Sequence, residues 1–319
     1  MGTYRFGPEH PTETYVPHAF PEHAIDTGEL TLNYAVAGAP DKPALLLIPG
    51  QTESWWGYEQ AMDLLKDHFH IFAVDLRGQG RSSRTPGRYT LDNFGNDLVR
   101  FIALVVKKPV IISGLSSGGV IAAWLSAYAM PGTIRAAHYE DPPMFSSAVD
   151  TSCGHTIRQT IGPIFGLMSK YLGDQWSVGD WAGMLAAAKT ELPDWLSAGT
   201  GMMFGTDGAI PQRLKEYDPE WARAFWEGTV YASCDHVRML KSVKCPVLYT
   251  HHFRHVDENQ GYLMGAASDL QAKRLCELVS LAGQSIEYRS FPRTPHSMHG
   301  EDPKLFAQLL IEFAAKLKS

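Results

Sequence analysis

The sequence predicts a mostly parallel, doubly wound α/β sheet with a helical cap inserted between two core strands. Three observations carry this. Short apolar runs that read as strands alternate with helical stretches along most of the chain. Several of those runs are apolar throughout, as strands buried on both faces are. From about residue 144 to residue 240 the alternation stops, and helical patterns rich in Trp and Met follow without strand runs.

In chain order, the first 20 residues read as an arm with little structure of its own. ELTLNYAVAG (29–38) alternates apolar and polar residues, as a half-buried strand does. PALLLIPG (43–50) is an apolar run closed by Pro-Gly, and HIFAVDL (70–76) and PVIISG (109–114) are two more strands. Helical stretches at 57–69 and 91–106 separate them. IRAAHYED (134–141), CPVLYTHH (245–252) and SIEYRSF (285–291) complete the strands. Asp302-Pro303 reads as an N-cap with proline at the first helical position. Behind it Leu305, Phe306, Leu309, Leu310 and Phe313 form a helical apolar stripe. Trp176, Trp181, Trp195, Trp221 and Trp226 mark the inserted region. The reading divides the chain into a core at 1–143 and 241–319 and a cap at 144–240; the alternative is a set of extra helices on the sheet edge.

Composition narrows the function. The 319 residues are 45% hydrophobic and 19% charged, an ordinary globular balance. The net charge is −6 and no long basic run occurs, which argues against a nucleic-acid partner. No apolar run is long enough to span a bilayer, and the N-terminal stretch has no secretory h-region. Cys153, Cys234, Cys245 and Cys276 show no CxxC pairing and read as thiols in a reducing compartment. The expectation is a cytoplasmic protein with a small-molecule partner, no membrane partner and no cofactor.

The stretch ISGLSSGGVIAAW (112–124) carries the chemistry. Gly-x-Ser-x-Gly fits only Gly114-Leu115-Ser116-Ser117-Gly118; a frame centred on Ser117 would put Leu115 where a small residue is needed. A strand turning sharply into a helix strains the central residue, and bulky neighbours two positions away would collide. The following helix N-terminus offers N–H groups to a developing anion. Ser116 is therefore the candidate nucleophile, and Ser117 contributes a backbone N–H to an oxyanion hole. A tight turn that happens to carry serine is the plain alternative.

A serine needs a base. Thirteen histidines offer no choice by proximity, but order does: the base follows the last strand, which selects His296 over His299. His251, His252 and His255 have a spacing that matches no helical metal-ligand pair, and read as loop or pocket-rim residues. The acid that fixes the imidazole tautomer comes from the end of the strand 134–141: Asp141 first, Glu140 as the alternative, Asp257 after that. Adjacent strand residues point opposite ways, so only one of Glu140 and Asp141 can face His296. The loop after Pro49-Gly50 would bring the Gln51 N–H over Ser116 as a second oxyanion donor. In DLRGQGRSS (75–83), Asp75 and Arg77 read as loop-pinning scaffold.

These motifs, in this order, resemble the serine α/β-hydrolase superfamily across nearly the whole chain, which implies the α/β-hydrolase fold. Within it, the double serine of GLSSGG and the cap segment KEYDPEWARAFWEG (215–228) are similar to the zearalenone lactone hydrolases. That resemblance implies a resorcylic macrolactone substrate and places Trp221 against the ligand. It also puts Asp141 at the acid position, where some members carry glutamate. Members with an aspartate nucleophile, the dehalogenases and epoxide hydrolases, differ at Ser116. The expected activity is a cofactor-free carboxylic ester hydrolase acting on a lactone. A C–C bond hydrolase on a diketone-like substrate, or a non-catalytic small-molecule receptor of the same fold, are the alternatives.

Overall fold

A computed structural model describes residues 16–146, 155–197, 200, 208–259 and 261–317. Most of the expected N-terminal arm, and Cys153, lie outside the described residues. The strands are β1 (Glu22–Asp26), β2 (Thr31–Ala37), β3 (Ala44–Ile48), β4 (His70–Val74), β5 (Val110–Leu115), β6 (Ile134–Glu140), β7 (Val247–His251), β8 (Arg254–Val256), β9 (Leu263–Gly265) and β10 (Ile286–Ser290). Eight of them form one sheet in the order β1-β2-β4-β3-β5-β6-β7-β10, while β8 and β9 pair as a separate hairpin. β1/β2 and β2/β4 are antiparallel; from β4 to β10 every pairing is parallel. β3 and β5 are buried at every residue, which is why they read as unbroken apolar runs.

The order places the functional loops. The chain winds from β3 to β4 in one direction and then returns to β5 on the other side of β3. Ligands in open α/β sheets bind outside the carboxyl ends of the strands at this reversal. The loops after β3 and β5 meet there, with Ile48 opposite Gly114 in the register. β6 adds the next loop, with Leu115 opposite Glu140.

Apolar layers cover both faces. One joins the sheet to the helices Leu91–Phe101, Ser117–Tyr128 and Asp269–Leu281 and continues into the cap; the other packs Glu59–Leu65 and Pro303–Ala315 on the opposite face. The terminal helix starts as its sequence dictates: the Asp302 side chain accepts from the Leu305 N–H, Pro303 sits at the first position, and Phe306, Leu309, Leu310 and Phe313 are buried. The stretch expected as one helix over 91–106 is an α-helix, Leu91–Phe101, that runs into a π-helical turn, Ile102–Val106.

Between β6 and β7 the described residues hold helices and no strand. The helix Pro219–Glu227 spells out its own limits in DPEWARAFWEG: Asp218 caps it, Pro219 opens it, and Gly228 closes it in a left-handed conformation at φ 81°. This cap is seated on the 75–83 loop. Gly80 C=O accepts from Gln175 Nε2 (2.5 Å) and Trp176 Nε1 (2.7 Å), and Gly78 C=O accepts from the Asp218 N–H (2.8 Å). Asp75 and Arg77 hold the loop from below. Asp75 accepts from the Trp55 and Arg81 amides, and Arg77 makes a two-pronged contact with Asp97 at 2.6 and 2.7 Å. Among the described residues, no helix is long and apolar enough to cross a membrane.

Candidate active site

Ser116 sits between β5 and the helix Ser117–Tyr128 at φ 53°, ψ −121°, a conformation that costs a residue with a Cβ of the order of 1–3 kcal/mol. The flanking glycines make the turn possible. A Cβ on Gly114 would lie 2.2 Å from Gly118 O, and one on Gly118 would lie 2.5 Å from both Ile48 O and Pro49 O. The strained serine is held by its own N–H, which donates to Glu140 C=O (2.8 Å) across the β5–β6 seam.

His296 lies in the loop after β10, and its Nδ1 is 2.6 Å from Asp141 Oδ2. The imidazole is 43% exposed while Asp141 is 1% exposed, so a wet ring is fixed by a dry carboxylate. Nε2, the ring atom turned from Asp141, has no hydrogen-bond partner among the described residues. Partial desolvation favours neutral His296, but the hydrogen bond and charge of Asp141, reinforced by Glu53 and Glu140, outweigh it and raise the pKa above the ordinary histidine value. Burial likewise pushes the Asp141 carboxyl up, and the His296 bond with the His252 contacts more than reverses this, so its pKa is lowered. Asp141 Oδ1 also accepts from the His252 N–H at 3.1 Å.

Glu140, the alternative acid, faces elsewhere. Its Oε1 accepts from the Met298 and His299 amides at 2.8 and 3.0 Å, and its Oε2 lies 2.9 Å from His299 Nδ1. Asp257, the third candidate, belongs to the β8–β9 hairpin, where its N–H donates to Tyr262 C=O and its Oδ1 accepts from the Asn259 N–H. His251 spans Tyr288 Oη (3.0 Å) and Ala267 C=O (2.8 Å). His252 spans the His296 C=O (2.9 Å) and Thr250 Oγ1 (3.0 Å), and so supports the His296 loop from behind.

The loop after β3 lies against Ser116: a Cβ on Gly50 would be 3.4 Å from Ser116 Cβ. The amides of Gln51 and Ser117 donate to no acceptor among the described residues, which leaves both N–H groups available to an oxyanion. The side chains of the same two residues reach the cap. Gln51 Nε2 donates to Tyr217 Oη (2.6 Å), and Ser117 Oγ is 3.4 Å from Tyr231 Oη. Neither tyrosine was legible as a site residue, because each meets its partner more than a hundred positions away in the chain. Trp221 is 1% exposed and packs on Phe94, Tyr217 and Tyr89 at centroid distances of 4.4, 6.0 and 6.2 Å. Its ring fills the seam between cap and core, and its buried Nε1–H has no acceptor among the described residues.

A serine on a strained strand–helix turn, an imidazole tethered to a buried carboxylate and two unengaged amides are the parts of an acyl-transfer site. The sequence profile of the alpha/beta hydrolase family matches residues 45–309. The chain belongs to the alpha/beta hydrolase family. Among curated members, 3-oxoadipate enol-lactonase 2 of Acinetobacter baylyi is 30% identical over 102 residues, 31% of this chain and 38% of that protein. The 2-(acetamidomethylene)succinate hydrolase of Mesorhizobium japonicum is 30% identical over 99 residues, 31% of this chain and 35% of that protein. The chain therefore spans well under half the length of these curated relatives in the matched regions. Among solved structures, the enol-lactonase of Burkholderia xenovorans superposes with a TM-score of 0.66 at 16% identity, covering 92% of this chain and 100% of that one. An E-2-(acetamidomethylene)succinate hydrolase superposes at 0.63 and 18% identity, covering 93% and 99%. At such identities the likeness establishes the fold.

Proposed function

We propose that this family member is a serine hydrolase that cleaves a carboxylic ester, with a resorcylic macrolactone of the zearalenone type as substrate. The observation that carries the reading is the 2.6 Å contact of His296 Nδ1 with buried Asp141, in a chain whose Ser116 is held in the elbow conformation; among the described residues no hydrogen bond joins Ser116 Oγ to His296. In this reading Ser116 Oγ attacks the ester carbonyl and passes its proton to His296 Nε2. Asp141 keeps the ring proton on Nδ1 and stabilises the imidazolium that forms. The Gln51 and Ser117 amides take the oxyanion. His296 then returns the proton to the leaving alkoxide, and water, activated by the same imidazole, releases the acid. For a lactone, leaving group and acid remain one molecule, so the product is a single hydroxy acid.

The aromatic character of the cap–core seam supports a flat, apolar substrate: Tyr217 and Tyr231 are buried there and reach the Gln51 and Ser117 side chains, with Trp221 packed against Tyr217. A serine at the nucleophile position separates this chain from the epoxide hydrolases that are also among its relatives. The testing experiment is a turnover screen over zearalenone-type lactones, linear esters and diketones, with Ser116→Ala as blank. Ring opening of the lactone by the intact chain alone is the expected result. Turnover of small esters without the lactone removes the lactone assignment. Cleavage of a diketone alone favours the C–C reaction, and saturable binding without turnover favours a receptor.

A further inference from the structure

A second buried acid–histidine pair stands beside the first. Glu140 and His299 side chains are 0% and 1% exposed. Glu140 touches three parts of the site at once. Its C=O holds the Ser116 N–H, its carboxylate holds the Met298 and His299 amides and the His299 ring, and the next residue is Asp141. On the far side of the ring, His299 Nε2 is 3.7 Å from Glu53 Oε2. That same oxygen accepts from the Gly50 N–H at 3.2 Å, one residue before Gln51. Tyr58 stacks on the imidazole at 3.8 Å, and Ser297 Oγ lies 3.3 Å from Nε2.

We infer that Glu53, His299 and Glu140 form a carboxylate–imidazole–carboxylate bridge that locks the oxyanion loop to the loop bearing His296, with Glu53 as the positioning residue for the Gln51 amide. The inference rests on the serine-hydrolase reading of Ser116. Glu140 already partners the His299 ring at Nδ1. A second carboxylate adds an uncompensated negative charge near the protein interior, which folding does not favour. What Glu53 gains is a hold on the Gly50 amide and a charge facing His296. With two carboxylates around one imidazole the bridge is negative whichever form His299 takes, which favours the imidazolium formed when Ser116 gives up its proton. The other titratable groups facing it are His138 from β6, His252 beyond β7, Tyr58, and the His296–Asp141 pair. Burial keeps His138 neutral at pH 7, with a pKa lowered to about 4. Glu53 and Glu140 both act to raise the pKa of His296, after the larger contribution of Asp141.

The test uses the full chain and a fluorophosphonate, which reports the reactivity of Ser116 without a known substrate. The Oγ–P bond forms, fluoride leaves, and the serine proton passes to His296. Labelling rates across pH 5 to 9 are compared for the intact protein, Glu53→Gln and Glu53→Ala, with melting temperatures alongside. Glu53 is 18% exposed, so both variants have room to fold. Glu53→Gln keeps an acceptor for the Gly50 N–H and loses only the charge. Its pH midpoint is expected to fall by about half to one unit, with a plateau within about threefold of the parent. Glu53→Ala loses the acceptor too, and its plateau is expected to drop about tenfold at an unchanged site of labelling. Parental midpoint and plateau in both variants would overturn the inference and leave the hydrolase reading intact. An intact protein that is not labelled at Ser116 overturns the hydrolase reading and the inference with it.

Discussion

Asp141→Asn changes one atom and tests which acid orients the base. The wild-type carboxylate accepts twice, from His296 Nδ1 at 2.6 Å through Oδ2 and from the His252 N–H at 3.1 Å through Oδ1. An asparagine offers one acceptor and one donor. With its oxygen on the His252 N–H, its NH2 group faces Nδ1, and the ring must carry its proton on Nε2, the atom that has to accept from Ser116. With the amide flipped, two donors face each other in a site where Asp141 is 1% exposed, at a cost of about 1–3 kcal/mol. Both arrangements also leave the imidazolium without its counter-charge. The expected fall in kcat is about 10³ to 10⁴, or roughly 4–5.5 kcal/mol in the barrier. Glu140→Gln is the control. Its amide oxygen can still accept from the Met298 and His299 N–H groups, so kcat should fall only about tenfold while the melting temperature drops more than for Asp141→Asn. The assay is kcat on an activated ester and on the lactone, with melting curves by circular dichroism. A larger kcat loss in Glu140→Gln than in Asp141→Asn would refute the assignment, as would Asp141→Asn retaining more than about a tenth of the activity.

Other outcomes follow from the same geometry. Ser116→Ala should lower turnover at least about a thousandfold, whereas Ser117→Ala, which loses only a 3.4 Å contact to Tyr231, should stay within about tenfold; equal losses on a p-nitrophenyl ester would mean the frame is wrong. Trp221→Ala should destabilise the fold by about 3–5 kcal/mol, and Trp221→Phe should keep most of the packing but lose the Nε1–H. If the indole meets the substrate, Trp221→Phe raises KM for an aromatic lactone and leaves a small acetate ester unchanged; parallel changes on both substrates count against that contact. The pH–rate profile of the intact protein should rise with pH through a midpoint above about 6.5, because Asp141 raises the pKa of the base; a midpoint below that value contradicts the pairing. Stability should fall on acidification below pH 6.5. His138 and His236 are buried with pKa values lowered to about 4, so between pH 6.5 and 4 they take up their protons first in the unfolded chain, at about 3 kcal/mol for each, while Asp75, buried with its pKa raised to about 7, is protonated first in the folded chain and offsets part of this loss. His296 and His299 have raised pKa values, so their contribution is complete below 6.5 and adds no slope there. Urea unfolding at pH 7 and pH 4.5 with equal midpoints would contradict this.

Much of the architecture is written locally. Gly114 and Gly118 are required by 2.2 and 2.5 Å approaches to backbone oxygens, so the elbow is readable from spacing alone. Asp218-Pro219 and Asp302-Pro303 each open a helix where a cap and a fixed φ coincide. What stayed hidden depends on distant partners or weak patterns. β1 is an edge strand with a mostly exposed face, and β8 and β9 have three residues each, too few for an alternation to register. Glu53 follows an ordinary turn in the sequence; only the folded chain brings it to His299. Trp221 is apolar at a helical spacing, and that pattern does not distinguish a ring that lines a pocket from one that fills the seam beneath it.

The neighbours Glu140 and Asp141 show why alternation alone could not name the acid. Glu140 is the last residue of β6 and keeps the strand's geometry, so its side chain leaves the sheet on one face, toward His299. Asp141 leaves the strand with φ at 43°, a left-handed conformation that aspartate tolerates better than most residues. Its N–H still donates to Thr250 C=O at 2.9 Å, so it stays stitched to β7 while its backbone turns toward the cap. The turn, not the strand pleat, aims its carboxylate at His296. Two adjacent acids thereby take different work. Glu140 spends its charge on the chain that carries His296, and its pKa falls to about 2 because the nearby histidines outweigh its burial. Asp141 spends its charge on His296 itself. In this chain the loop after β10 reaches across β7 to Asp141, and Glu140 holds that loop through the Met298 amide.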